Sequence, residues 1–278
     1  MTHTPEKIAS IRKAFRELHQ AGTFVIPNPW DVGSAKFLQG LGFKALASTS
    51  SGLAWSLGRA DNQLSRDAVL THLVEIVNAT DLPVNADFED GFGATPAKLG
   101  ESVSLAVATG VAGISIEDSV RDQPEPLRTI EDATARIQAA RAAIDEAGGD
   151  VLLIGRAENF IVGRPDLADT IARLKSYSAA GADVLYAPGI GAPEDIRAVV
   201  AAVAPKPVNL LIGSASSMTV DEIAALGVRR ISVGGALARA AWGGFMRAAL
   251  SLSEGRFDGF AQNATGGQLN ALFGPDTR

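Results

Sequence analysis

Short apolar runs alternate with longer amphipathic segments along almost the whole chain. Eight of the short runs are largely apolar from end to end, which is typical of strands buried on both faces of a parallel sheet. The predicted strands are TFVIP (23–27), KALAST (44–49), PVNADF (83–88), GISIED (113–118), VLLIGRA (151–157), DVLYAP (183–188), PVNLLI (207–212) and RRISVGG (229–235).

The segments between these runs predict helices with recognisable first turns. Ser65 precedes a segment whose apolar residues recur at helical spacing, and Thr129 precedes another, so both are predicted N-caps. Pro193 fits the first turn of a further helix, where the missing N–H of proline is harmless. Several helical segments end at a glycine that is followed by a strand, which is typical of αβ connections.

Eight strand–helix units in a chain of 278 residues predict a (β/α)8 barrel of the TIM type, a fold of typically about 250 residues. The alternative is a doubly wound α/β fold, which normally carries a G-x-G-x-x-G turn after its first strand. The chain has IPNPWDVGS at that place, which favours the barrel. We expect a single α/β-barrel domain over 1–278, with an extra N-terminal helix in 1–22 and a C-terminal appendage over 256–278.

Composition narrows the classes of partner. A net charge of −6 without a basic cluster argues against binding to nucleic acid or to an anionic membrane surface. No apolar run approaches the roughly 20 residues that cross a bilayer, and the first residues are charged where a secretory signal is apolar. We therefore expect a cytoplasmic protein. The absence of cysteine excludes disulfides, thiolate metal sites and cysteine nucleophiles.

Lysine and histidine are missing from the places where a barrel performs its chemistry, the carboxyl ends of the strands. All the lysines fall in predicted helices or just before strands, which argues against a Schiff-base aldolase. His3, His19 and His72 also lie away from strand ends, so we interpret them as surface or packing residues. That interpretation argues against a Ser-His triad and against a histidine metal site.

Carboxylates crowd the end of the third predicted strand instead. In the segment NADFEDGFG, Asp87, Glu89 and Asp90 fall within four positions, where like charges repel one another unless a cation or a proton compensates them. Asp90, like Asp31 after the first strand, is interpreted as a helix cap or a turn residue. Asp87, taken together with Glu117 at the end of the fourth strand, predicts a functional site.

Oxygen ligands without histidine or cysteine select a hard cation, Mg²⁺ or Mn²⁺. Arg156, after the fifth strand, carries a fork of donors suited to a substrate carboxylate or phosphonate. The turn STSSG (48–52) offers hydroxyls and N–H groups to another anionic end, and Asn209 adds an amide in the seventh strand. Glu117 and Asp118 could alternatively form a buried ion pair with Arg156. Together these residues predict a site for a small polyanion that chelates a metal.

The candidate site residues lie in longer sequence motifs: PNPWDVGSAKFLQGLGFKALASTSSGLAWSLGRAD, LPVNADFEDGFG, AGISIEDS and GRAENF. In this order and register, from about residue 24 to residue 240, the chain resembles the isocitrate lyase / phosphoenolpyruvate mutase superfamily. The resemblance implies an α/β barrel that exchanges its eighth helix with a neighbour in a homodimer or homotetramer. It also implies a Mg²⁺ site that binds 2-oxo acids, with a reaction that passes through an enolate-like intermediate.

The resemblance implies roles for individual residues by position. Asp87 matches the direct metal ligand, Glu117 matches a glutamate that reaches the metal through water, and Asp61 matches an aspartate near the metal. Glu89 stands where the family usually has a second aspartate ligand. Arg156 matches the arginine on the substrate carboxylate. The loop that holds the 2-oxo acid end is matched by Thr49, Ser50, Ser51 and Gly52.

Three departures from the family pattern bear on the reaction. The loop after the fourth strand, VRDQPEPLRT, lacks the K-[KR]-C-G-H signature of the isocitrate-type lyases, in which the cysteine is the acid–base group. It also does not match the Lys/Asn-bearing loop of the phosphonomutases. Pro188 stands where some mutases have a histidine. Glu89 is one methylene longer than aspartate, so we expect an altered pocket.

Loss of CO₂ or retro-aldol cleavage needs chiefly an electron sink, which a metal on a 2-oxo group provides. The first hypothesis is therefore a Mg²⁺-dependent carbon–carbon lyase or decarboxylase acting on a small 2-oxo or 2-hydroxy dicarboxylate through an enolate, with an oxaloacetate- or methylisocitrate-like substrate. The second is phosphoenolpyruvate mutase or phosphonopyruvate hydrolase chemistry. The third is a non-catalytic protein that binds 2-oxo acids.

Overall fold

Eight parallel strands form the centre of the molecule, one at each predicted position. The computed structural model describes residues 3–120 and 124–274. The strands are β1 (Phe24–Ile26), β2 (Leu46–Ala47), β3 (Val84–Asp87), β4 (Gly113–Glu117), β5 (Leu152–Arg156), β6 (Val184–Tyr186), β7 (Val208–Leu211) and β8 (Arg230–Ser232). Their order in the sheet is β1-β8-β7-β6-β5-β4-β3-β2. At the remaining seam the Ala47 N–H donates to the Pro27 carbonyl at 3.0 Å, so the sheet is a nearly closed barrel of the TIM type.

Helices connect the strands and cover the outside of the barrel. In the described residues these are α1 (Pro5–Leu18), α2 (Val32–Gly40), α3 (Ser50–Ser56), α4 (Arg66–Ala79), α5 (Pro96–Ala108), α6 (Ile130–Glu146), α7 (Leu167–Ala179), α8 (Pro193–Val203), α9 (Val220–Ala225), α10 (Ala236–Ser253) and α11 (Gly266–Phe273). A short 3-10 helix over Asp258–Phe260 stands between α10 and α11.

The sequence explains where several helices begin. Ser65 caps α4 and Thr129 caps α6, each accepting the backbone N–H three residues further on, so both predicted caps are confirmed. Pro193 occupies the first turn of α8, as expected. Asp31 caps α2 in a reciprocal arrangement with Ser34, which confirms its interpretation as a cap.

The predicted N-terminal helix closes the amino-terminal end of the barrel. Phe15 of α1 is fully buried, and a Cβ added to Gly113 at the start of β4 would lie only 2.8 Å from its ring. Arg12 fixes α1 in place by donating to the Val111 carbonyl at 2.9 Å and to the Val107 carbonyl at 2.8 Å. The barrel is therefore accessible from its carboxyl-terminal end, where the loops following the strands lie.

The last helices are the least buried part of the fold. In α10, the helix after β8, only Ala238, Ala248 and Ser251 are buried. Five large apolar side chains of α10 are exposed: Trp242, Phe245, Met246, Leu250 and Leu252. The single chain does not show an exchange of this helix with a neighbour.

The predicted appendage follows α10. It contains the 3-10 helix and α11, which packs against α2. Residues 275–278 lie outside the described residues. Within the described ranges, no helix combines the length and the apolar character that a membrane crossing requires.

Candidate active site

A cavity of about 220 Å³ opens at the carboxyl ends of the strands. Six of the residues that were assigned to the site from the sequence line it: Thr49, Ser50, Ser51, Asp61, Asp87 and Arg156. Asp61 is exposed, whereas Thr49 is buried. The structure thus brings together residues from the ends of β2, β3 and β5, as a barrel site requires.

Arg156, the last residue of β5, is the centre of the charged cluster. Its Nη1 lies 3.2 Å from Asp87 Oδ1 and 3.2 Å from Glu117 Oε2. Its Nε and Nη2 donate to the two carboxylate oxygens of Glu158, at 2.5 and 3.2 Å. The guanidinium also lies over the ring of Tyr186, 5.3 Å from its centroid. Burial by itself would lower the pKa of Arg156, but Glu158 and then Glu117 raise that pKa well above its ordinary value.

Asp87 is held in place by the loop after β2. Its Oδ2 accepts the Ser50 N–H at 2.9 Å, and its own N–H donates to Ser48 Oγ at 2.8 Å. Glu117, the last residue of β4, is buried and accepts a hydrogen bond from Ser119 Oγ at 2.7 Å. Because β3 and β4 are neighbours in the sheet, the two carboxylates reach the same guanidinium nitrogen.

Glu89 lies in the turn between β3 and α5. Its φ is 50°, in the left-handed region, and its carbonyl oxygen accepts the Glu117 N–H at 3.0 Å. Its side chain is buried, with only 1% of the residue exposed. Gly91 follows with a φ of 84°, which lets the chain turn away from the site.

The donor set at this end of the barrel fits a hard divalent cation. In the described part of the chain no group of three His, Asp or Glu residues is arranged as a metal cluster. Mg²⁺ is usually held by one or two protein carboxylates and keeps several waters, so the pair Asp87 and Glu117 suffices for it. In this structure Arg156 lies between the two carboxylates and compensates their charge.

The hydroxyl turn after β2 is built by the start of α3. Thr49 Oγ1 caps this helix by accepting the Gly52 N–H at 3.3 Å, and it lies 3.1 Å from Ser51 Oγ. Gly52 is tightly enclosed, because a Cβ there would lie 2.6 Å from Thr49 Cγ2. Gly52 is not among the residues that line the cavity, and the structure shows it closing the turn.

Asn209 is not among the residues that line the cavity. It is fully buried, accepts from Arg230 Nε at 2.8 Å and donates to Ser232 Oγ at 2.9 Å. Two residues with no predicted role also join the site, namely Glu158 and Arg230. Burial raises the pKa of Glu158 to about 8, against the opposing charge of Arg156. The only sequence signal for either residue is a charge within or just after a strand that is predicted to be buried.

The remaining charged residues have structural partners. Glu117 does pair with Arg156, but Asp118 pairs with Arg173 at 3.0 Å, so the alternative of a joint ion pair with Arg156 is wrong for Asp118. Asp90 accepts the Phe92 N–H at 3.0 Å within its turn, as expected.

None of the three histidines lines the cavity. His19 and His72 are buried among core residues, and His3 is hydrogen-bonded to backbone carbonyls, which confirms their interpretation as packing or surface residues. Part of the segment VRDQPEPLRT, residues 121–123, lies outside the described residues.

The barrel and this constellation define a class of protein. A model of the phosphoenolpyruvate phosphomutase family matches residues 15–253, and the chain belongs to this family. The predicted membership of the phosphoenolpyruvate mutase / isocitrate lyase superfamily is thereby confirmed.

Three similar proteins place the chain more closely. A solved structure from Burkholderia cenocepacia J2315, a protein for which a lyase or mutase activity has been suggested, has a TM-score of 0.93 and 46% identity over 97% of this chain and 98% of that one. The 2-methylisocitrate lyase of Escherichia coli K12 is 30% identical over 63% of this chain and 60% of its own length. The oxaloacetate decarboxylase of Paraburkholderia xenovorans LB400 is 29% identical, covering 73% of this chain and 67% of the relative. The superfamily thus contains lyases and decarboxylases at about this level of identity.

Proposed function

We propose that this protein is a Mg²⁺-dependent carbon–carbon lyase or decarboxylase that acts on a small 2-oxo or 2-hydroxy dicarboxylate, similar to oxaloacetate or methylisocitrate. The observation that carries the proposal is the convergence of Asp87 and Glu117 on Arg156, with Asp87 and Arg156 lining the cavity at the carboxyl ends of the strands. The names of the lyase and decarboxylase relatives point to the same class of chemistry.

The carboxylates of Asp87 and Glu117, with Glu89 in the adjoining turn, would hold the cation. When bound, Mg²⁺ or Mn²⁺ supplies Lewis-acid polarisation of a 2-oxo oxygen, which is the electron sink that cleavage needs. Asp61 lines the same cavity and would bind water near the cation. These four residues provide oxygen ligands only, which suits a hard cation.

Substrate binding would fall to Arg156 and to the turn after β2. Nη1 of Arg156 faces both carboxylates, and it would donate to a substrate carboxylate beside the cation. Glu158 fixes the other edge of that guanidinium and so orients it. The hydroxyls of Thr49 and Ser51 lie on the cavity wall, where they can orient the 2-oxo acid end. In the described part of the chain no lysine, histidine or cysteine lines the cavity, which favours a reaction driven by electron withdrawal from the substrate.

The proposal is tested by turnover of three acids, oxaloacetate, 2-methylisocitrate and phosphonopyruvate, each with Mg²⁺ and with a chelator. We expect Mg²⁺-dependent cleavage of one of the first two, and a loss of at least about 100-fold in kcat for Asp87→Asn. Asp90→Asn is the matched control, because Asp90 lies in the same turn but pairs with Arg128. Equal activity of Asp87→Asn and wild type, or activity that survives the chelator, would overturn the proposal.

Phosphonate chemistry is the second candidate, because the matching family model is that of phosphoenolpyruvate phosphomutase. Turnover of phosphonopyruvate alone would favour it. Binding of these acids without turnover of any would instead favour a non-catalytic 2-oxo acid binder.

We also propose that the chain forms a homodimer or homotetramer through α10, in which the helix is exchanged with a neighbour. The support is its row of exposed apolar side chains, in particular Phe245 and Leu250, each 62% exposed. Exposed apolar patches of this kind are typical of protein–protein contacts.

A further inference from the structure

A second arginine lies inside the barrel, deeper than Arg156. Arg230 is the first residue of β8 and is 2% exposed. It nevertheless lines the same 220 Å³ cavity as Asp87 and Arg156. The cavity therefore has a guanidinium near its mouth and another in its deeper part.

Strand register places the two arginines in one row of side chains. Glu117 pairs with Arg156, Arg156 with Tyr186, Tyr186 with Asn209, and Asn209 with Arg230. Paired residues on neighbouring parallel strands point to the same face of the sheet, which here is the interior of the barrel. Because barrel strands are tilted, the row descends from the last residue of β4 to the first residue of β8.

The partners of Arg230 are neutral. Its Nε donates to Asn209 Oδ1 at 2.8 Å and its Nη1 donates to Asn85 Oδ1 at 3.3 Å. Across the described ranges, no ion pair joins this guanidinium to an Asp or Glu. Arg156, by contrast, is surrounded by three carboxylates.

The charge of Arg230 persists at neutral pH. Burial lowers the pKa of Arg230 to about 10, with Tyr186 acting in the opposite direction, so the side chain remains protonated below that value. A buried charge with only amide oxygens around it is poorly compensated, and a carboxylate is the partner that a guanidinium binds best. The cavity that Arg230 lines gives such a partner access from solution.

We infer that Arg230 binds the second acidic group of the substrate. The inference rests on the proposed function, in which the 2-oxo or 2-hydroxy end of the acid lies at Asp87 and Glu117. The remote carboxylate then points down the barrel axis toward Arg230, with Asn85 and Asn209 holding the guanidinium in position. The ligand class is a compact dicarboxylate, since a cavity of about 220 Å³ has room for a small acid with a charged group at each end.

Malate and lactate form a matched pair of probes, because they share the 2-hydroxy acid end and differ by the second carboxylate. Their affinities are measured by calorimetry in the presence of Mg²⁺, with both enantiomers of each. For the wild type we expect malate to bind about 100-fold more tightly than lactate, as for a buried charge pair. Equal affinities in the wild-type protein would overturn the inference without any variant.

Arg230→Met removes the charge while keeping much of the volume. We expect it to weaken malate binding to the level of lactate and to leave lactate binding unchanged. Arg230→Lys keeps a positive charge but lacks the forked guanidinium, and it should restore part of the preference for malate over lactate. The control is Arg229→Met, since the neighbouring Arg229 bonds to the Gly22 carbonyl outside the barrel; it should retain the full preference.

A merely structural role for Arg230 gives a different result. It predicts that Arg230→Met lowers the thermal midpoint and weakens malate and lactate equally, and that outcome would overturn the inference. The inference instead predicts a selective loss of malate affinity, because lactate has no second carboxylate for Arg230 to bind. A malate preference that depends on Arg230 in a protein that turns over none of the acids above would refute the proposed function and support this inference. Turnover of a dicarboxylate, with a malate preference that Arg230→Met does not change, would support the proposed function and refute this inference.

Discussion

Glu117 and Asp118 are neighbours in the chain but belong to different networks. Side chains alternate between the two faces of a strand, so Glu117 points into the barrel and Asp118 points outward. There Asp118 accepts from Tyr177 Oη at 2.5 Å, from Arg173 Nη1 at 3.0 Å and from the Glu158 N–H at 2.8 Å. These three hydrogen bonds tie β4 to α7 and to the segment after Arg156.

We expect Asp118→Asn to lower the free energy of unfolding by about 2 kcal/mol, because the buried Arg173 would lose one of its two carboxylate partners. Urea denaturation followed by circular dichroism measures the effect. Asp67→Asn is the control, since the Asp67 side chain is 80% exposed, and it should change the stability by less than about 0.5 kcal/mol. Indistinguishable midpoints for the two variants would show that the Asp118 network contributes nothing.

Among the elements, α1 has a role that goes beyond covering the surface. It closes the amino-terminal end of the barrel with Phe15, which packs in the interior apolar cluster close to Gly113 at the start of β4. Gly113 makes room for the ring, and Arg12 bonds the helix to the end of α5 and to the segment that leads into β4. The helix therefore forms the floor of the barrel.

Phe15→Ala should destabilise the protein by about 4 kcal/mol, because it removes a fully buried ring and leaves a cavity under the barrel. Thermal and urea unfolding both report this change. Phe257→Ala removes a ring that is 70% exposed and should cost little. A comparable loss of stability for the two variants would argue against α1 as the floor.

The elements could be predicted from local pattern, and their mutual contacts could not. The eight strands and the caps Ser65 and Thr129 follow from residues close together in sequence, where period and capping chemistry act. The contact of Arg230 with Asn85 joins residues 145 positions apart, and no local rule identifies it.

For the site, motif and strand position together predicted that Asp87, Glu117 and Arg156 belong to one site. They could not show that the amide of Ser50 is already bonded to Asp87, 37 positions away. No local rule identifies this partner, because it depends on how two loops meet.

At the scale of the whole molecule, α10 leaves a large apolar surface on a single chain. We expect size-exclusion chromatography with light scattering to give the mass of a dimer or tetramer for the wild type. Phe245→Glu should lower that mass toward the monomer, because it puts a charge in the centre of the exposed apolar row.

Leu105→Glu, on the exposed face of α5, is the control for this change and should leave the mass unaltered. A monomeric wild type, or a Phe245→Glu variant with the wild-type mass, would refute assembly through α10.

The proposed chemistry requires that the acidic residues at the ends of β3 and β4 bind one divalent cation. This binding can be measured by calorimetric titration of Mg²⁺ into the metal-free protein. We predict saturable binding of one Mg²⁺ per chain for the wild type and for Asp90→Asn, and no saturable binding for Asp87→Asn or Glu117→Gln. No uptake by the wild type, or an unchanged dissociation constant in both Asp87→Asn and Glu117→Gln, would contradict the account.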